Sequence, residues 1–99
     1  MANVLWIGPT PVNELGQPRR VSTGEVRDKR NDEIARYDAA FAALASQLHH
    51  PYLSLFPILE PDAAWRGSLA DGVHPDTAGY DRLADIIDAW PAWRRALLT

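Results

Sequence analysis

Two side chains in this sequence stand at a spacing that can move a proton: Asp71 and His74, in the run Asp71-Gly72-Val73-His74-Pro75. Gly72 lets the backbone fold back without a Cβ clash. Pro75 fixes φ and stops the preceding segment from continuing as regular structure. In such a turn the Asp71 carboxylate reaches the imidazole and holds one tautomer, which leaves the other ring nitrogen free as a base. A base held this way needs a nucleophile, usually a serine hydroxyl. The same five residues also suit a purely structural role, because Asp-Gly is a common turn and His-Pro a common helix entry. The flanking segments decide between the two.

The elements that must position the pair can be read from hydrophobic spacing. Val4 to Ile7 is an apolar run closed by Gly8-Pro9, which predicts a strand near residues 3–8 buried on both faces, as in a parallel sheet. Residues 10–21 contain Pro11, Gly16 and Pro18 and form a loop leaving the C-terminal end of that strand, where α/β proteins build sites. The Arg19-Arg20 pair within it reads as solvated charge. Ser22-Thr23-Gly24-Glu25 fits a capping box, and Asn31 or Asp32 is a second start. Ile34, Tyr37, Phe41, Leu44, Ala45 and Leu48 then recur at steps of three or four. This predicts a helix near 23–48 whose stripe, Tyr37 and Phe41 included, packs in the core. His49-His50-Pro51 ends it. Adjacent histidines on a helix end point apart, so they suit the helix dipole better than a shared metal ion.

Tyr52 to Leu59 is the second apolar run and predicts a strand near 52–57, ended or bent by Pro57. Strand, helix and strand in this order form a βαβ unit with a right-handed crossover. Residues 60–70 form a loop that leads into the Asp71–His74 turn. Asp76 then N-caps a helix near 76–90 with Leu83, Ile86, Ile87 and Trp90 as its stripe. Pro91 kinks or ends it, and Trp93, Leu97 and Leu98 continue an apolar face. Trp90 and Trp93 could anchor at a lipid interface, but Asp81, Asp85 and Asp88 on the polar face argue for packing on a sheet instead.

Asp71-Gly72-Val73-His74-Pro75, continued by Asp76-Thr77-Ala78-Gly79-Tyr80 and an amphipathic helix, resembles the last conserved block of the SGNH (GDSL-type) hydrolases. Upstream, Val4-Leu5-Trp6-Ile7-Gly8-Pro9-Thr10-Pro11-Val12 resembles the late strand of that family with its Gly-Pro-x-Pro exit. Downstream, Ala89-Trp90-Pro91-Ala92-Trp93-Arg94 resembles the tail of some bacterial members. The resemblance spans nearly all of the 99 residues but covers only the C-terminal half of a family domain. It implies that residues 1–99 are the C-terminal portion of a flavodoxin-like, three-layer α/β/α fold. It further implies hydrolysis of carboxylic esters, as in esterases, lipases and carbohydrate deacetylases, with His74 as general base and Asp71 as its orienter. No metal or organic cofactor is implied.

The family's nucleophile lies in an early Gly-Asp-Ser block, and its oxyanion hole uses a glycine and an asparagine from two middle blocks. None of the three is present. Ser22, Ser46, Ser54 and Ser68 all lie outside such a context, and Asn13 does not match the asparagine motif. Ser68 is nearest His74 in sequence, but nothing local presents its hydroxyl. Three readings follow: a C-terminal piece of a hydrolase, a non-catalytic α/β binding or assembly module, or an independent small enzyme. On the first, the isolated chain is expected to be inactive, since removing the nucleophile removes nearly all acceleration.

Composition bounds the rest. The 46% hydrophobic fraction is globular, and the net charge of −3 offers no basic face for nucleic acid. The chain has no cysteine, which excludes disulfides, thiolate nucleophiles and sulfur metal sites. Met1-Ala2-Asn3 opens without the charged and apolar regions of a signal peptide, so the expected location is cytoplasmic, and no apolar run is long enough to span a membrane. A small-molecule ester is the expected substrate. Because two parallel strands leave open edges, the chain should need a missing N-terminal half or form a homo-oligomer through those edges.

Overall fold

A computed structural model describes residues 4–14 and 30–98 and, for the backbone, 21–22 and 25–26. The elements run β1 (Trp6–Ile7), β2 (Val21–Ser22), β3 (Glu25–Val26), α1 (Asn31–Gln47), β4 (Tyr52–Leu53), α2 (Phe56–Leu59), α3 (Ala63–Gly67), α4 (Thr77–Ala89) and α5 (Pro91–Leu97). Strand β1 pairs with β4 in parallel, Trp6 against Tyr52 and Ile7 against Leu53, with α1 lying between them in the chain. The parallel pairing across one helix therefore forms, but the strand expected near residues 3–8 is only Trp6–Ile7 and is not buried on both faces, since Ile7 is 51% and Val4 45% exposed.

The layered fold does not form. The described residues are mostly helical, and the parallel sheet among them is two short strands, not the sheet of a three-layer flavodoxin-like fold. Two layers of helices need a wide sheet to separate them, and Trp6–Ile7 with Tyr52–Leu53 cannot supply one. Gly8-Pro9 closes β1. The run after β4 turns into α2 at Phe56, with Pro57 in its first turn. The expected strand near 52–57 is thus a two-residue strand followed by a helix. Proline suits either outcome, since its fixed φ and missing N–H are as acceptable at a helix start as beyond a strand.

The capping box is also replaced. Val21–Ser22 and Glu25–Val26 pair antiparallel, Ser22 against Glu25, and the helix begins at the second start, Asn31. Arg19 and Arg20 lie outside the described residues.

The core lies between β4, α2, α3 and α4. Leu53, Leu55, Leu59, Trp65 and Leu69 are buried together, and Leu83, Ile86, Ile87 and Trp90 pack against them. Helix α4 begins where expected, because Asp76 accepts the Gly79 N–H at 3.0 Å as its cap. Asp62 caps α3 in the same way, accepting the Ala64 and Trp65 N–H groups at 3.0 and 3.3 Å. Of the stripe expected to pack inward from helix α1, Ala45 is buried, beside Asp38, whereas Tyr37, Phe41, Leu44 and Leu48 are 60%, 42%, 44% and 49% exposed, so the inward face is rotated to one edge of that stripe. The buried face is the one Asp38 requires: its carboxylate accepts the Tyr52 hydroxyl at 2.5 Å and the Ser54 hydroxyl at 2.7 Å. Burying a carboxylate is tolerated only when it is hydrogen-bonded in this way. Among the described residues no helix is long and apolar enough to cross a membrane.

Candidate functional site

Asp71 and His74 sit in the loop between α3 and α4, and the loop is closed on itself. At its base the Asp76 N–H donates to the Ser68 carbonyl at 2.9 Å, and Leu69 pairs with Pro75 as an antiparallel bridge. Gly72 holds φ at 84°, a left-handed conformation that a side chain would disfavour. Its N–H donates to the Leu69 carbonyl at 3.0 Å.

Within this turn the Asp71 carboxylate is fixed by both oxygens. Oδ1 accepts the backbone N–H groups of Val73 and His74 at 2.8 and 2.7 Å. Oδ2 lies 2.6 Å from His74 Nδ1. The hydrogen bond expected from the Asp-x-x-His spacing is therefore present. These contacts hold the Asp71 carboxyl well below the usual carboxylate range: the His74 backbone N–H acts most strongly, then its imidazole, then the Val73 N–H. An ionised Asp71 can only accept, so Nδ1 is the donor of this contact. The pair faces water, with the His74 and Asp71 side chains 75% and 51% exposed. Among the described residues, no hydrogen bond reaches Nε2.

The described serine hydroxyls that are bonded are bonded elsewhere. Ser68 is buried and donates to the Trp65 carbonyl at 2.6 Å. Ser54 donates to Asp38. Ser46 is exposed on α1. The side chain of Ser22 lies outside the described residues. Asn13 contributes its backbone, donating its N–H to the Gly72 carbonyl at 2.9 Å.

The two histidines after α1 part company, as adjacent residues should. His49 is exposed at φ 57°, while His50 Nδ1 accepts the Trp6 indole N–H at 3.0 Å. Among the described residues no group of three His, Cys, Asp or Glu side chains could hold a metal ion.

Two features of the neighbourhood carried no signal in the sequence. Trp65 is fully buried and its indole N–H donates to the Pro11 carbonyl at 3.0 Å, which fastens the β1 exit to α3. Asn31 clamps the same exit, accepting the Val12 N–H and donating to the Val12 carbonyl, both at 2.8 Å. No protein-family model, curated protein or solved structure matches this chain.

Proposed function

We propose that Asp71 and His74 are the acid–base half of an ester-hydrolysing site, of the kind that the SGNH hydrolases use. One observation carries this reading: the 2.6 Å contact between Asp71 Oδ2 and His74 Nδ1, with the other carboxylate oxygen pinned by two backbone N–H groups. The resemblance rests on the Asp71–Pro75 block and not on the fold.

In the reaction so proposed, His74 Nε2 takes the proton of a serine hydroxyl as its oxygen attacks the ester carbonyl. Asp71 stabilises the imidazolium that forms. The imidazolium then returns the proton to the departing alkoxide as the acyl–oxygen bond breaks. A water molecule, deprotonated by the same nitrogen, releases the acid from the acyl-serine. The hydroxyls of Ser54 and Ser68 are committed to other acceptors, and Ser46 lies exposed on α1. The reading assigns the nucleophile and its oxyanion donors to a separate segment, because the Gly-Asp-Ser block that carries the nucleophile in the family is not among these residues.

The experiment is to combine this chain with a segment bearing a Gly-Asp-Ser block from the reading frame that precedes Met1. Hydrolysis of a p-nitrophenyl ester and labelling by a fluorophosphonate should both appear in the mixture and vanish with His74→Ala. An inert mixture, or the lack of any such block upstream, sinks the hydrolase reading. The second reading, a non-catalytic binding or assembly module, is favoured by the apolar face that α1 leaves open and would then take its place.

A further inference from the structure

The exposed stripe of α1 has a spacing of its own. Ile34, Tyr37, Phe41, Leu44 and Leu48 follow one another at three, four, three and four residues. That is the alternation of a coiled-coil seam, with Ile34, Phe41 and Leu48 at one set of positions and Tyr37 and Leu44 at the other. A helix serving only its own core shows a broader stripe turned toward that core. Here the buried face is centred on Asp38 and Ala45, and four of the five seam side chains stand 42–60% exposed beside it. Tyr37 and Phe41 already stack on each other, with ring centroids 6.3 Å apart. They present one flat aromatic surface followed by two leucines.

We infer that this seam is a self-association surface whose occupant is α1 of a second copy of the chain, packed antiparallel. Three features select a second copy. First, a seam of alternating three and four residues is complementary to another of the same spacing, so the chain carries its own partner. Second, the open flank holds Glu33, Ala40 and Gln47, with a single charge, so two copies meet without like-charge repulsion. Ala40 also lets the helices approach closely. Third, an antiparallel arrangement centred between Phe41 and Leu44 sets the aromatic half of one helix on the leucine half of the other. Tyr37 then faces Leu48, and Phe41 faces Leu44. The opposed helix dipoles also favour this orientation. A two-heptad seam with its flanks buries on the order of 400–500 Å² per partner, below the standard size and in the range of weak, transient contacts. The association should therefore be reversible and weak. It does not depend on the hydrolase reading.

Sedimentation velocity of the full chain, from low micromolar to near-millimolar concentration, tests this. A monomer–dimer equilibrium is expected, and Leu44→Asp should return the chain to monomer with its far-UV circular dichroism intact. Tyr37→Lys, at the most exposed seam position, provides the same readout should Leu44→Asp impair folding. A monomer at every concentration overturns the inference, as does a dimer that both variants leave unchanged. Because the chain has no cysteine, orientation can be read by oxidation. A Phe41→Cys chain mixed with a Leu44→Cys chain should give the mixed disulfide. Disulfides only between like chains overturn the antiparallel arrangement.

Discussion

The Asn13 N–H donates to the Gly72 carbonyl, joining the exit of β1 to the turn that carries Asp71 and His74. The same exit is held by Trp65 at Pro11 and by Asn31 at Val12. Three separate elements thus fasten one short segment, and through it the dyad loop is placed against the rest of the molecule. The loop's internal geometry comes from its own residues; its position comes from this brace.

Trp65 is the costliest residue of the brace to lose. It is fully buried, and truncation to alanine leaves a large void. Trp65→Ala should lower stability by about 3–5 kcal/mol. Trp65→Phe keeps most of the volume but strands the Pro11 carbonyl, and should lower it by about 1–3 kcal/mol. Urea unfolding followed by circular dichroism measures both, and equal losses would show that the hydrogen bond contributes little.

Gly8 is required by its neighbours. A Cβ there would lie 2.6 Å from Asp38 Oδ1 and nearer still to the Tyr52 hydroxyl. Gly8→Ala must push this pair apart, so a loss of about 1–3 kcal/mol is expected. The same unfolding measurement decides it, and a neutral outcome would mean that the backbone yields freely at β1.

Acid should weaken the dyad loop. The folded-state pKa of Asp71 is depressed, so its contribution to stability is fully present above the ordinary carboxylate pKa, about 3.9. It is lost as pH falls below that value toward the depressed one. Thermal melts from pH 7 down to pH 2 should show the native chain and Asp71→Asn converging as the medium becomes acidic. A gap that stays constant with pH would contradict the assignment.

Alkali acts on Tyr52. Burial pushes its phenol above the ordinary range, and the hydrogen bond to Asp38 and that group's charge push it further. A raised folded-state pKa means that the contribution is present below the ordinary phenol value, near 10, and is lost as pH rises through the folded one. In an ultraviolet titration of the three tyrosines, one phenol should ionise above the ordinary range. That late step should be missing in Tyr52→Phe.

Catalysis by the chain alone should be negligible. Described hydroxyls at Ser54 and Ser68 are engaged, and none of the described serines bonds His74. No ester hydrolysis that depends on His74 is expected, and a fluorophosphonate should label no serine. Labelling of one serine, lost in His74→Ala, would instead make this an autonomous small enzyme.

What was legible in the sequence was local. The Asp71–His74 contact spans three residues and a glycine turn, and the Asp76 cap acts within one helical turn. The parallel pairing of β1 with β4 was legible because two apolar runs flank one helix. Segments whose residues serve two structures equally were misread. Pro57 opens a helix as readily as it closes a strand, and Ser22 pairs with Glu25 across a hairpin as readily as across a first helical turn. The orientation of α1 could not be read from its stripe, because spacing reveals an apolar face but not what covers it. The inward face follows Asp38, whose partners Tyr52 and Ser54 reach it only through the tertiary fold.

The bridge between Leu69 and Pro75, with Ser68 bonded to Asp76 below it, makes the dyad loop a closed circuit of neighbours in the chain. Its entropy of closure is met locally, yet its base is core: Leu69 is buried with Trp65, and the Ser68 hydroxyl bonds the Trp65 carbonyl. Heat or denaturant that disperses this core therefore frees both ends of the circuit. The meeting of acid and imidazole is then lost in the same cooperative step as the core.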